Sequence, residues 1–328
     1  MTANTRKIKE RNHYFDSLKY WLFVFVVLIH NPLPENLWGG GIWTAIARCA
    51  VPTYFAISGY FSKRAEKKHF EKGLKFLRIF FVMNLIWFVI YTLISYSPYS
   101  ELARWAKLEV NPKNILKCIL FGSAFGNEYL WYLHAIGMIY IIVYFTDRFQ
   151  LNEIIQRYFP FLVLLYWIMS EGTLLAFGKE VQPFLYRNWL IEGIGFFYMG
   201  KWIRGQECHR KFLYIMLLVV GSVVTIIEYS IWGRVEFYFG NLLMVYGMLA
   251  LGKVMHLKDS ILSKIGSNHS LHLYLYSPFV ACVFSILQML FFQTTGHQEV
   301  ITVLVICGTT WIVVQEWFIK IIDKLKMA

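Results

Sequence analysis

Three ionisable side chains lie on one stripe of the first long apolar segment. The segment runs from Asp16 to His30, with Lys19 near its start. In an α-helix, the eleven-residue step from Lys19 to His30 returns to nearly the same face roughly 16 Å further along, and Asp16 lies within about 40° of that line. An imidazole at such a place can take a proton from a substrate near neutral pH. Ionisable groups inside a membrane are costly and usually face a bundle interior or a wet cavity, so the pattern favours a functional His30 over a packed polar residue near the membrane exit.

The composition indicates a polytopic membrane protein. Hydrophobic residues make up 57% of the 328 residues and charged residues only 16%, whereas a soluble domain carries roughly 25% charge. Apolar segments recur along the whole chain, so we predict an all-α bundle of about ten transmembrane helices, forming one membrane domain over 1–328 without a soluble domain. The predicted spans are 17–33, 42–61, 76–96, 129–146, 158–177, 189–203, 212–231, 237–254, 270–292 and 300–319. The apolar region 113–126 is too short to span and is predicted to be interfacial or re-entrant.

The distribution of Lys and Arg predicts the orientation. With the N-terminus inside, about three quarters of the 32 basic residues fall in cytoplasmic segments, as the positive-inside rule requires. We therefore expect a multi-pass protein of the cell membrane with both termini in the cytoplasm. The net charge of +12 is explained by topology and by anionic membrane lipids, without a nucleic-acid partner. The five cysteines are scattered without metal or redox spacing, so no metal site and no disulfide is predicted.

The second apolar segment and the basic loop after it carry further candidate residues. Pro52 is expected to kink the second span, and Ser58-Gly59 would allow another backbone to approach closely. Small residues at this place are explained equally well by packing and by function. Lys75 and Arg78 are spaced three residues apart at the start of the third span, where two cations could bind a phosphate group. The alternative is a basic loop that serves only as a topology signal.

Polar residues near the later spans give weaker evidence of a functional site. Glu128 and His134 flank the aromatic start of the fourth span, which modestly favours a polar cavity there. Glu192, Glu228 and Arg187 also fall in or near spans. Each could be a member of a structural ion pair, and the sequence does not choose between the two readings.

The early motifs resemble the membrane acyltransferase 3 family. Lys19-X10-His30 is similar to the basic-X10-histidine motif of that family, and Pro52–Phe61 resembles its Pro-x-Phe-Phe-x-x-Ser-Gly-Phe stretch. Lys75–Arg78 is similar to its cytoplasmic Arg-x-x-Arg. The first two motifs together are fairly specific.

The resemblance continues through the rest of the chain. Leu130–Leu133, which contains Trp131, is similar to the family's Leu-Trp-Phe-Leu stretch, and Phe196–Gly200 is similar to a later glycine-ended span. Ser270–Pro278, which contains Tyr274, resembles a Ser-x-x-x-Tyr-Leu-x-His-Pro stretch. The residues with an expected supporting role are Asp16, Pro52, Ser58, Gly59, Trp131 and Tyr274.

The chain departs from the family pattern at three places. Two family arginines are lysines here, Lys19 and Lys75, which keep the charge but lose bidentate phosphate geometry. The histidine of the ninth span is replaced by Ser277, so no role is carried to that position. We expect the chain to be the membrane module alone, without a fused esterase-like or racemase domain.

The resemblance implies an O-acyltransferase. It implies transfer of an acyl group, most often acetyl, from cytoplasmic acyl-CoA to a hydroxyl of an extracytoplasmic glycan or lipid-linked precursor in a bacterial membrane. Lys75, Arg78 and Lys19 would hold the donor, acyl-CoA being a co-substrate and no metal being required. His30 would deprotonate the acceptor or receive the acyl group, and Glu128 would orient the histidine or the acceptor. Asp16 is too far along the helix to contact His30, so we expect it to pair with Lys19.

Two other classes of protein remain open. Charged groups along one helical stripe would equally suit a transporter of a small polar molecule or of surface polysaccharide. The sequence shows no pair of interrupted spans in matching positions of two halves, which is a common sign of transporters. A scaffold of a cell-wall synthesis complex is the third alternative. The sequence does not predict the acceptor, the acyl chain or the oligomeric state.

Overall fold

The described part of the protein is an assembly of helices. The computed structural model describes residues 11–35, 39–62, 67–94, 110–122, 129–292 and 298–315, and these contain no β-strand. The predicted all-α class is therefore confirmed. Glu128, the second catalytic candidate, lies outside the described residues.

Thirteen α-helices are assigned in the described ranges, together with short π and 3₁₀ segments. The α-helices are α1 His13–His30, α2 Gly40–Ala47, α3 Ala50–Phe61, α4 Lys67–Ile94, α5 Pro112–Phe121, α6 Trp131–Arg148, α7 Asn152–Trp167, α8 Thr173–Phe177, α9 Ile194–Gly205, α10 Lys211–Trp232, α11 Phe239–Val254, α12 Ile261–Phe292 and α13 Gln298–Val314. The π segments are Ile168–Gly172 and Trp189–Gly193, and the 3₁₀ segment is Pro183–Leu185.

Four helical stretches within the described ranges are long and apolar enough to cross a membrane. They are Lys68–Ile90, Asn152–Phe177, Lys211–Trp232 and Ile261–Gln288. Phe239–Val254 and Val300–Val314 are apolar but shorter. A helical membrane protein is supported, but the predicted count of about ten spans is not. Several predicted spans correspond to helices that are broken or short, and a helix needs about 20 apolar residues to cross the hydrocarbon layer.

Helix α1 lies at the centre of the bundle. Its N-terminus is capped by Asn12, whose side chain accepts from the backbone N–H groups of Tyr14 and Phe15. The helix packs against α2, α3, α12 and α13, and its buried face includes Leu22, Val26 and Val27. Because other helices cover α1 on several sides, the polar groups on its stripe face protein rather than lipid.

The second predicted span consists of two helices. Helix α2 ends at Ala47 and α3 begins at Ala50, so the break falls at Arg48 and Cys49. The expected kink takes the form of this break, one turn before Pro52, because a proline ring clashes with the carbonyl group of the residue four positions earlier, here Arg48. Pro52 lies in the first turn of α3, where a backbone N–H has no intrahelical acceptor and proline is tolerated.

Helices α3 and α9 approach closely through two glycines. A Cβ atom on Gly59 would overlap the carbonyl oxygen of Phe197, and one on Gly200 would overlap the carbonyl oxygen of Ala56. Each helix thus contributes a glycine at the point where the other backbone passes. The predicted close approach at Ser58-Gly59 is confirmed, and the glycine of the Phe196–Gly200 motif is its partner.

Replacing Gly200 with Ala should destabilise the protein, because the new methyl group meets backbone rather than a movable side chain. Gly205→Ala in the same helix is the matched control, since a methyl group added there would have no neighbouring atom within 4 Å. We expect a lower midpoint of thermal unfolding in detergent for Gly200→Ala than for Gly205→Ala. Equal midpoints would contradict the assigned helix contact.

Candidate active site

A basic cavity lies at the N-terminal end of α1. It has a volume of about 570 Å³. Its lining residues come from three parts of the chain and are Arg11, Asn12, Asp16, Lys19, Tyr60, Phe61 and Arg204. Arg11 Nε donates to Asp16 at 2.7 Å, and Lys19 Nζ donates to the same carboxylate at 3.1 Å. The Asp16–Lys19 pair predicted from the sequence is therefore present.

A second, mainly apolar cavity follows α1 from Lys19 towards the opposite end. Its volume is about 140 Å³. Helices α1, α3, α4, α6 and α12 line it, and the side chains include Val26, Val51 and Ile136. Lys19 lines both cavities. The ammonium group of Lys19 therefore marks the junction between a charged cavity and an apolar one.

The cation of α4 that lines the apolar cavity is Lys72. Its ammonium group donates to the hydroxyl of Tyr140 at 2.8 Å and lies 4.2 Å from the centre of that ring. Lys75 and Arg78, the residues predicted to bind the donor, lie exposed on the same helix. Their role stays a prediction, while Lys72 is a residue that the sequence reasoning missed. The spacing of the basic residues could not indicate which of them faces the neighbouring helices.

Aromatic residues connect the far end of the apolar cavity to His30. Tyr274 lines the cavity and donates its hydroxyl to the carbonyl oxygen of Tyr129. The ring of Tyr129 lies against the imidazole of His30, with centroids 3.9 Å apart. Tyr132, which also lines the cavity, packs against the ring of Tyr274 at 5.6 Å. The lining residue Tyr274 is therefore connected to His30 through one intervening residue, Tyr129.

Two arginines and a glutamate form an ion cluster near His30. Arg187 Nε donates to Glu236 Oε1 at 2.8 Å and its terminal nitrogen to Oε2 at 2.5 Å, while Arg48 donates to Oε2 at 2.7 Å. The side chains are only 16–20% exposed. All three groups lie close enough for their charges to act on the imidazole of His30.

The position of the cluster explains the charge state of Glu236. Burial by itself raises the pKa of this carboxyl group, but the two adjacent guanidinium groups of Arg48 and Arg187 overcome that effect and hold the pKa below its ordinary value. Glu236 therefore stays ionised between two cations.

Irregular backbone surrounds this cluster. Arg48 occupies the break between α2 and α3, Arg187 lies between a 3₁₀ segment and a π segment, and Glu236 lies between α10 and α11. The π segment Trp189–Gly193 also contains Glu192, which is 1% exposed. Interrupted helices and π segments are frequent at functional sites, and ends of broken helices often line binding sites in membrane proteins. The convergence of these segments near His30 favours a functional centre.

The remaining predicted residues have structural surroundings. His134 donates a ring N–H to the carbonyl oxygen of Ile119 at 2.9 Å, so it joins α6 to α5. Trp131 packs against Phe55 with ring centroids 6.0 Å apart. Glu228 accepts from the backbone N–H of Gly240 at 3.0 Å. Ser58 lines the apolar cavity, and Ser277 donates to the carbonyl oxygen of Tyr274 at 3.3 Å.

The comparison with protein families decides the class of this site. The family model described as "Acyltransferase domain" matches residues 12–314, which is nearly the whole chain. The chain belongs to the acyltransferase 3 family. It is therefore an acyltransferase, as the resemblance of its motifs implied. No curated protein and no solved structure matches the chain.

The arrangement suits an acyltransferase in two respects. His30 lies half-buried at the C-terminal end of α1, and Tyr274 of the apolar cavity is connected to it through Tyr129. Cations at the other end of that cavity provide sites for an anionic donor. Among the described residues, no cluster of three or more metal-ligating side chains is present.

Replacing Glu236 with Gln should destabilise the protein, because Arg48 and Arg187 would lose the carboxylate that both of them bind. Removing one partner of a buried ion pair costs roughly 3–5 kcal/mol, and the partial exposure of this cluster places the expected loss near the lower value. Glu207→Gln is the control, since its side chain is 90% exposed. Thermal unfolding in detergent measures the effect, and equal midpoints for the two variants would contradict a structural role for the cluster.

Proposed function

We propose that this acyltransferase moves an acyl group, with acetyl as the expected group, from cytoplasmic acyl-CoA to a hydroxyl of an extracytoplasmic glycan or lipid-linked precursor. The main support is the apolar cavity that follows α1, which is lined by Lys19 and by Tyr274, a residue connected to His30 through Tyr129. A CoA thioester has a charged nucleotide at one end and a reactive thioester at the end of a long, thin arm. The two cavities that share Lys19 offer matching environments in the same order.

In this proposal His30 is the catalytic residue. Its imidazole takes the proton of the acceptor hydroxyl while the hydroxyl oxygen attacks the thioester carbon. The carbon–sulfur bond breaks, and the proton passes from the imidazole to the departing thiolate to give free CoA. An acyl-imidazole intermediate is the alternative, in which His30 attacks first and the acceptor then takes the acyl group from it.

The orientation in the membrane follows from the same proposal. The basic cavity at the start of α1 would face the cytoplasm, where acyl-CoA is available, and the end with His30 would lie towards the acceptor. The positive-inside distribution of the sequence supports this orientation. The expected location is the cell membrane of a bacterium, with both termini in the cytoplasm and membrane lipids around the bundle.

A transporter of a polar molecule is the second candidate, and one observation favours it. Helices α3 and α9 pack against each other, and each is preceded by a break in the helix. Paired broken helices are typical of many transporters, although the sequence showed no such pair. Membership of an acyltransferase family favours the enzyme. Consumption of acyl-CoA by the purified protein would discriminate between the two.

Replacing both Lys75 and Arg78 with Gln tests the cations that the sequence assigns to the donor. Each charge-assisted contact is worth roughly 1.5–3 kcal/mol, so the affinity for acyl-CoA should fall at least about tenfold. The control is the double change Arg157→Gln and Lys211→Gln, which removes two exposed cations elsewhere. Titration calorimetry in detergent provides the affinities. Unchanged affinity for acyl-CoA in a folded Lys75/Arg78 variant would contradict donor binding by this pair. The two cations would then serve only as a topology signal.

Replacing His30 with Gln separates catalysis from packing. Glutamine keeps similar size and hydrogen bonding but cannot transfer the proton, so acyl transfer should slow at least ~100-fold, the low end for loss of a general base. Binding of acyl-CoA should be retained. His209→Gln, at a site where the side chain is 79% exposed, is the control. Near-normal transfer by a folded His30→Gln protein would contradict the mechanism and favour the transporter.

A further inference from the structure

We propose that Arg11 and Arg204, together with Lys19, form the subsite that binds the phosphate groups of the donor nucleotide. Arg11 and Arg204 belong to none of the motifs that indicated donor binding from the sequence. The inference rests on the proposed function, since it assigns residues to the donor. It goes further because it adds phosphate contacts in the cavity at the start of α1 to those expected on the exposed face of α4.

The charge of this cavity favours an anion. Three cationic side chains line it, and Asp16 is the single carboxylate among its lining residues. The excess is therefore two positive charges. By contrast, Arg48 and Arg187 near His30 both bind Glu236, and Glu192 lies close enough to act on the same carboxylate. Of these two cationic groups in the described part of the chain, the cavity at the start of α1 has the greater unmatched charge.

The hydrogen bonds that Arg11 and Arg204 make within the protein leave some of their N–H groups available to a ligand. A guanidinium group carries five N–H donors. Arg11 donates from Nε to Asp16 and from a terminal nitrogen to Asn268, while Arg204 donates from one terminal nitrogen to the carbonyl oxygen of Ser62 at 2.8 Å. These contacts fix the position of each side chain without using all of its donors. Arginine is the residue best suited to bidentate recognition of phosphate.

Asp16 organises the site before a ligand binds. Its side chain is 10% exposed, and its carboxylate accepts hydrogen bonds from both Arg11 and Lys19. The two cations would otherwise repel each other and move apart into solvent. Because Asp16 fixes them at one wall of the cavity, less side-chain freedom is lost when an anion binds.

A neighbouring cavity provides space for the rest of the nucleotide. It has a volume of about 480 Å³ and is lined by Arg11, Asn12, His13, Met255, His256 and Leu257. Arg11 and Asn12 belong to both cavities, as Lys19 belongs to the basic cavity and the apolar one. Three cavities thus follow one another, and the charged one lies in the middle. A CoA thioester has its pyrophosphate between a nucleoside and a pantetheine arm, so the middle position fits the phosphates.

The test compares two donors on the purified full chain in detergent. The double variant Arg11→Gln and Arg204→Gln should bind CoA at least about tenfold more weakly than the wild type. The same variant should transfer an acyl group from acyl-pantetheine, which lacks the nucleotide, at the rate of the wild type. Arg157→Gln with Lys211→Gln is the charge-matched control and should bind CoA normally.

Each outcome has a defined meaning. If the wild type binds CoA and transfers the acyl group of acyl-CoA, but the Arg11/Arg204 variant binds CoA as the control does, the subsite is overturned and the proposed function stands. If the variant loses transfer from acyl-pantetheine as well, the arginines have a structural role and the subsite is again overturned. If the wild type neither binds nor uses CoA, the proposed function itself fails.

A second variant covers the case in which the glutamine protein does not fold. The double variant Arg11→Lys and Arg204→Lys keeps both charges but removes the planar guanidinium groups, which can donate two parallel hydrogen bonds to a phosphate. We expect a CoA affinity that is measurably weaker than the wild type, with normal transfer from acyl-pantetheine. Affinity equal to that of the wild type would overturn bidentate phosphate binding by these two residues.

Discussion

The structure near His30 depends on the need to pair charges within an apolar bundle. Glu236 receives three donor contacts from Arg187 and Arg48, and the three side chains come from parts of the chain far apart in sequence. An unpaired buried charge costs several kcal/mol, so these segments must meet for the bundle to be stable. The meeting point fixes the break after α2, the irregular segment before α9 and the connection between α10 and α11. His30 lies beside it.

The two ends of α1 differ in a way that suits a bipolar substrate. At the start of the helix, cations exceed carboxylates among the residues that line the basic cavity. At the end, the charges are mutually paired and the imidazole is packed against Tyr129. The hydroxyl of Tyr54 binds the carbonyl oxygen of Lys19 at 2.6 Å, so α3 stays attached to α1 beside the apolar cavity. The helical rise of α1 therefore sets the distance between the basic cavity and His30.

The sequence predicted the features that arise within single segments. The stripe of Asp16, Lys19 and His30 follows from helical periodicity, and Gly59 indicated a close backbone contact. Glu236 could not be found in this way, because its partner Arg48 is 188 residues distant and no local pattern connects them. The spacing of the α4 cations likewise did not distinguish Lys72 from Lys75, since only the packing of α4 against α6 decides which one faces the cavity. The predicted span 42–61 contains a break at Arg48 and Cys49, and 189–203 begins with a π segment, so apolar length alone did not predict which segments form continuous α-helices.

The central claim is that the donor lies along α1, with its phosphates near Lys19 and its sulfur near His30. The most direct measurement is a cryo-electron microscopy structure of the full chain with bound CoA. The account predicts phosphate density in the cavity of Arg11, Lys19 and Arg204, and the thiol at the end of the apolar cavity beside His30. Phosphates bound at Arg48 and Arg187 instead, with the arm pointing towards Lys19, would contradict it.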